Sequence, residues 1–370
     1  MVRDDPRLME AKGIPVAEVL DRIGVTGLRA AGAERVGPCP LCGGRDRFGI
    51  HMRRALFQCR KCGIKGGDQV ALVQAVLGLS FPDALKWLCG DAPAHIDPEE
   101  LARRRARARA EEKRREEYEA KARRHAIEDA GRIWRGALRV GPDGGMVAQY
   151  LALRGVVLPE PWPPVLRLVP SHAYVKRHGG AAIQMHLGPA MVALVQLPDG
   201  NGGAVHQTWI DLSRAKGKAC IDHEGAAQPS KLVRGSKKGG AIRLITPAGA
   251  DTLVMGEGIE TTLTAYAARA VPGAAYWAGV DLGNMSGRML REAGNRYSGR
   301  PDMDDDRAFV PPPWVRRLIF IQDGDSHPAA TRAKLLSGCR RAMALRPGLR
   351  AQIVHAGDGV DLNDLVTPDE

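Results

Sequence analysis

The sequence predicts a mixed α/β protein: a small α+β domain at the amino terminus, then a mixed α/β core that ends in a Rossmann-like parallel sheet. Two apolar runs predict the sheet. Leu253-Val254-Met255 leads into Gly-Glu-Gly-Ile-Glu-Thr, and about sixty residues on Leu318-Ile319-Phe320-Ile321 leads into Gln-Asp-Gly-Asp-Ser. Short apolar runs without alternation read as strands buried on both faces, and the carboxyl ends of such strands share the edge where open α/β sheets bind ligands. That edge would receive Glu257 from the first run and Asp323 with Asp325 from the second. The third observation, four cysteines in two close pairs, marks the amino-terminal domain.

Those pairs are Cys39-Pro-Leu-Cys42 and Cys59-Arg-Lys-Cys62, with sixteen residues between them. Each pair presents two thiolates from one short turn, and two such knuckles at this separation make a closed tetrahedral zinc site. Two disulfides are the alternative, but disulfides within Cys-x-x-Cys are strained and redox-active, and the start MVRDDPRLMEAKGIP has no apolar signal core. Four thiolates complete the shell, so His51 between the knuckles reads as a loop histidine. Cys89, Cys220 and Cys339 stand singly and read as buried thiols. A helix is expected near Val16 to Ile23. After Cys62, Asp68 opens an amphipathic helix and Ser80 with Asp83 opens another.

Three carboxylates at one sheet edge suit a hard divalent cation, Mg²⁺ or Mn²⁺, which takes one or two carboxylates and leaves its other positions to water and phosphate. A lone acid after a strand also serves as a helix N-cap. A denser acidic cluster, Asp302, Asp304, Asp305 and Asp306, has no apolar strand leading into it and is followed by Pro311 to Pro313. It reads as a loop insertion facing solvent, because a metal needs ligands on rigid elements.

With 370 residues the chain has room for two or three domains, and a net charge of +12 points to a polyanionic partner. No run of about twenty apolar residues occurs, so a membrane span is not expected and a cytoplasmic location is. No GxxxxGK[ST] motif occurs either, which excludes a P-loop helicase engine within this sequence.

The organisation reads as a zinc-binding domain over 1–92, a basic helical linker over 93–130, a mixed α/β basic subdomain over 131–249 and the sheet domain over 250–370. From Pro98 to His125 the text is strongly helix-forming without an apolar face, an exposed helix whose block Arg103 to Arg109 is able to track phosphates. IWRGALRV and VAQYLALRGV read as helices; PAMVALVQL and GAVHQTWIDL read as short strands joined by a PDGNGG hairpin turn. Trp209 and Trp277 belong to cores. Lys231, Arg234, Lys237 and Lys238 form a glycine-flanked basic stretch suited to a template strand or a nucleoside triphosphate.

The strand-end glutamate followed by a strand-end Asp-x-Asp resembles the Toprim domain, over about 250–370, and GDGVDLNDLV is similar to the Asp-rich tail of primase versions. The resemblance adds Asp361 and Asp364, with Glu260, as further candidate ligands; many Toprim domains carry Asp where this chain has Glu260. The cysteine knuckles and the GIKGGDQVALVQAVLGLSFPDALKWL text resemble the zinc-binding domain of bacterial and phage primases, whose first knuckle usually ends in His where Cys42 stands here. Together these imply a DNA primase from a phage, plasmid or integrated element, making RNA primers on single-stranded DNA from nucleoside triphosphates. Asp323 and Asp325 would hold the metal and Glu257 would be ligand or base. A separate replicative helicase would be the partner. A non-catalytic Toprim recombination mediator and a Toprim nuclease are the alternatives.

Overall fold

A computed structural model describes the chain except for residues 1–4, 6, 92–97, 142–143, 179–180, 291, 293–294, 296, 323–326 and 356–370. Asp323, Asp325, Asp361 and Asp364 therefore lie outside the described residues. The fold is mixed α/β and divides into two compact units, 1–117 with 177–183, and 118–176 with 184–370.

In the first unit, α1 (Arg7–Gly13) and α2 (Val16–Arg22) precede an antiparallel sheet of β1 (Arg29–Ala31), β2 (Glu34–Cys39), β3 (Gly43–His51), β4 (Phe57–Cys59) and β5 (Lys65–Gly66), in that spatial order. Then come α3 (Gln69–Leu77) and α4 (Phe81–Cys89). The caps expected from sequence are present: Asp68 accepts from the Ala71 N–H at 2.8 Å, and Ser80 accepts from the Asp83 N–H at 3.3 Å. Phe48, Ile50 and Phe57 from the sheet pack with Val19, Leu72, Val73 and Leu85 from the helices. This core fixes the strand ends that carry the cysteines.

A long helix, α5 (Pro98–Gly136), follows. Its residues 109–125 are all exposed, as a charge-rich stretch without an apolar face requires, and core packing begins at Ala130. Pairs such as Glu111 with Arg114 at 3.7 Å lie one turn apart and each add only a few tenths of a kcal/mol. The helix takes in the first half of IWRGALRV, which was expected to be helical, in one continuous run from the linker to Gly136. The second half, ALRV, is not helical: Gly136 ends α5, and β6 (Leu138–Arg139) pairs with Leu168 and Arg167, because pairing with a long neighbouring strand overrides a weak local preference.

The second unit continues with α6 (Gly145–Ala152), all but the facing ends of β7 (Leu166–His178) and β8 (Ala181–Gln196), and β9 (Gly202–Trp209). A small hairpin, β10 (Ile221–His223) with β11 (Ala226–Gln228), leads to β12 (Lys231–Gly235). The antiparallel sheet runs β12-β9-β8-β7-β6. The hairpin turn between β8 and β9 is stabilised by Asp199, which accepts from the Asn201 N–H at 2.9 Å. Residues 203–209 of β9 are buried throughout, Trp209 among them at 1% exposure.

The second sheet comprises β13 (Ile242–Ile245), β14 (Thr252–Gly256), β15 (Ala275–Ala278), β16 (Arg317–Gln322) and β17 (Arg350–His355), in the order β13-β15-β14-β16-β17. All neighbours are parallel except the edge strand β13. Between strands lie α7 (Ile259–Ala267), α8 (Leu282–Ser286) and α9 (Pro328–Leu345). Alternate residues face opposite ways: Leu253, Met255, Trp277, Leu318 and Phe320 join Met285, Leu335 and Cys339, while Val254, Tyr276, Ile319 and Ile321 join Ala265. A Cβ at Gly338 would lie 2.9 Å from the Ser286 backbone, so glycine permits α9 to lie against α8.

Of the single cysteines, Cys339 is buried as expected, Cys89 is half-buried and Cys220 is exposed, a correction caused by its place before β10 in an irregular segment. Among the described residues no single helix is long and apolar enough to cross a membrane.

Candidate functional site

The first knuckle lies in the β2–β3 hairpin and the second in the turn from β4 to β5. Gly43 and Gly63, one residue past each knuckle, have positive φ of 60° and 79°, which lets the chain turn back under the sulfurs. The four Sγ atoms lie within 4.8 Å of one another; Cys39 and Cys62 are 3.6 Å apart, Cys42 and Cys59 3.5 Å. Four thiolates at about 2.3 Å from a tetrahedral zinc stand about 3.8 Å apart, so donors and spacing fit a structural zinc site. Burial opposes ionisation of Cys59, but the backbone N–H groups of Cys62 and Lys61 bring its thiol down to about 6. The Ile64 N–H favours a thiolate at Cys62, yet burial and three neighbouring sulfurs push it up to about 12. That competition is the repulsion a dication relieves. His51 is not part of the cluster: its Nδ1 accepts from the Arg53 and Arg54 N–H groups, both at 3.2 Å.

In the second unit, β14 and β16 are parallel neighbours with Val254 opposite Ile319 and Met255 opposite Phe320. Their carboxyl ends share one edge. Glu257, half-buried, is the first residue past β14; the chain leaves β16 at Gln322, immediately before Asp323 in the sequence. On the other side of β14, β15 carries the chain to Asp281, which caps α8 by accepting from the Asn284 N–H at 2.9 Å. Asp281 is a carboxylate past the end of a third strand, and the sequence reading missed it. Its signal was the same as that of Glu257, an apolar run ending in an acid, but the run Ala-Tyr-Trp-Ala is short.

The basic stretch distributes its cations. Lys237 forms an ion pair with Asp281. Burial lowers the Lys237 pKa, and the charge of Glu257 opposes that shift, so its ammonium senses both strand-end acids. Lys238 is exposed and has no hydrogen bond or ion pair among the described residues. Arg234 donates to the Val175 carbonyl. Lys231 sits 2.8 Å from Glu260 Oε1 and 2.9 Å from Oε2.

Glu260, in the first turn of α7, is 3% exposed and is the centre of a buried network. Tyr150 from α6 donates its hydroxyl to Oε1, and Lys218 approaches the same oxygen to 3.8 Å. Burial alone would raise the Glu260 pKa; the charges of Lys231 and Lys218 and the hydrogen bonds from Lys231 and Tyr150 outweigh it and hold the carboxyl well below the usual range. Burial and the Glu260 charge push Tyr150 upward. His206, buried, falls to about 4 through burial and the charge of Lys231, and is neutral at pH 7. Tyr150, His206 and Lys218 carry no motif, and nothing local in the sequence marks them.

The acidic cluster is not wholly a solvent loop. Asp305 is 5% exposed and accepts from the Arg288 N–H at 2.8 Å and the Arg307 N–H at 3.1 Å. Arg341 donates to the carbonyls of Asp302, at 3.0 Å, and Asp305. Asp305 thus ties its loop to α9, whereas Asp304 and Asp306 are exposed.

Residues 124–244 match a family described as Domain of unknown function (DUF7146). That span holds Tyr150, His206, Lys218, Lys231 and Lys237. Among solved structures, the chain is similar to the Aquifex aeolicus primase (zinc binding and RNA polymerase domains), at 14% identity over 98% of this chain and 82% of that one, with a TM-score of 0.34. It is also similar to the primase fragment of the bacteriophage T7 primase-helicase protein, at 13% identity over 89% and 92%, with a TM-score of 0.28.

Proposed function

We propose that this chain is a DNA primase that joins ribonucleotides into short primers on a single-stranded DNA template. The observation that carries the reading is the parallel pairing of β14 with β16, which brings the chain to one sheet edge at Glu257 and again immediately before Asp323. The four-cysteine cluster, which fits a structural zinc site, and a net charge of +12 support it, since a strongly basic chain suits a polyanionic substrate. Glu257, Asp323 and Asp325 would hold Mg²⁺ or Mn²⁺, which when bound supplies charge neutralisation at the reacting phosphorus. Asp361 and Asp364 would assist from the carboxyl-terminal tail.

The chain's own residues do the rest. Lys237, ion-paired with Asp281 and within reach of the Glu257 charge, receives phosphate at the sheet edge, and Lys238, exposed on the same loop, takes the nucleic acid backbone. The Glu260 carboxylate is already engaged by Lys231, Lys218 and Tyr150 and anchors the first turn of α7. The unit with Cys39, Cys42, Cys59 and Cys62 would bind zinc and help select the start site, with helicase activity supplied by a partner. Primer synthesis on single-stranded DNA with labelled nucleoside triphosphates tests the proposal. Metal-dependent DNA degradation without triphosphates would instead indicate a nuclease, and DNA binding without incorporation a recombination mediator.

A further inference from the structure

We infer that Asp281 and Asn284 form a clamp that positions Lys237 for the polyphosphate of a nucleoside triphosphate, with Asp281 acting as the positioning residue for the lysine side chain. The inference rests on the proposed primase reading and adds to it a residue pair outside every metal-ligand motif.

The clamp is visible in its hydrogen bonds. Asn284 is 6% exposed; its Oδ1 accepts from the Gly239 N–H at 3.0 Å, and its Nδ2 donates to the Gly240 carbonyl at 2.8 Å and the Gly279 carbonyl at 2.9 Å. It joins the loop after Lys237 to the turn after β15. Two glycines make this contact available: Gly239 has φ of +66°, and a Cβ on Gly240 would lie 2.7 Å from the Gln196 carbonyl oxygen. The Lys237 carbonyl is also held, accepting from the Gly240 N–H at 2.8 Å. With the backbone fixed, one freedom is left, the long side chain.

Asp281 removes that freedom with its second oxygen. Oδ1 caps α8, while Oδ2 takes the Lys237 ammonium. The lysine is half-buried, and its ammonium lies where the charges of two strand-end acids act on it. A cation in that place meets a phosphate brought to the strand ends, whereas exposed Lys238 is free to follow a strand backbone. A side chain ordered before the ligand arrives loses less entropy on binding, an effect of about two- to tenfold in affinity.

The test is a double-mutant cycle on the full chain, with MgATP binding measured by calorimetry. Asp281→Asn removes the charge but keeps a good N-cap, so its melting temperature should match wild type. Removing a carboxylate also attracts an anion through space, and this effect persists when Lys237 is alanine. The comparison isolates the part that acts through the lysine. Asp281→Asn should be about two- to tenfold less favourable to MgATP binding in the Lys237 background than in the Lys237→Ala background. A cycle that closes at unity, as a capping role alone would give, overturns the clamp. So does coupling of the opposite sign, which would mean that Asp281 competes with the ligand for the lysine. Wild-type protein that binds no MgATP would overturn the primase reading, and the clamp with it.

Discussion

Replacing Lys231 with Met isolates the charge at the centre of the buried network. Glu260 is 3% exposed and loses its nearest cation, at 2.8 Å, while Lys218 at 3.8 Å and the Tyr150 hydroxyl remain. Breaking a fully buried pair costs about 3–5 kcal/mol. Here the remaining partners compensate and the Lys231 side chain is 31% exposed, so about 2–3 kcal/mol is expected at pH 7. For a unit of this size that lowers the melting temperature by roughly 5–10 °C. The sign of the pH dependence is a second readout. In the wild type the Glu260 pKa is depressed, so its stabilisation is fully present above the ordinary glutamate value of 4.5 and declines only as pH falls below it. Without Lys231 the carboxyl takes up a proton more readily, so the penalty should shrink between pH 7 and pH 5. Thermal melts of Lys231→Met, Glu260→Gln and the double variant across that range measure it, and the double variant should recover part of the loss. A penalty absent at pH 7, or growing toward acid, would refute the network's role.

Chelation or Cys59→Ser should release one zinc per chain and unfold residues near 35–65, read by metal analysis and circular dichroism, because structural zinc supplies folding energy directly. Glu257→Gln, Asp323→Ala and Asp325→Ala should each abolish nucleotide incorporation, an effect of orders of magnitude, while the melting temperature holds. In the acidic loop, Asp304→Ala and Asp306→Ala should change stability by less than about 0.5 kcal/mol, whereas Asp305→Ala strands the N–H groups of Arg288 and Arg307 and should cost about 1–3 kcal/mol by denaturant titration. Lys238→Ala should reduce the slope of log affinity against log salt for single-stranded DNA by about one, and an unchanged slope would remove Lys238 from the interface.

What the sequence determined by itself was whatever a few adjacent residues decide. Cys39, Cys42, Cys59 and Cys62 are legible because ligand pairs sit on single turns, and Asp68, Ser80 and Asp199 because caps and turns close within three residues. The strands before Glu257 and Asp323 are legible because burial on both faces demands unbroken apolar text, and the exposed course of α5 because it has none. The tertiary structure decided what depends on a partner far along the chain. Nothing near Glu260 distinguishes a metal ligand from the centre of an ion-pair network, since Tyr150 lies 110 residues away and Lys231 29. Asp281 gains its place beside Lys237 only when β15 is laid against β14, and Asp305 turns inward because Arg341 of α9 meets its loop. A carboxylate reads the same in sequence wherever it stands; its charge state and role come from the dielectric and the cations that packing places around it.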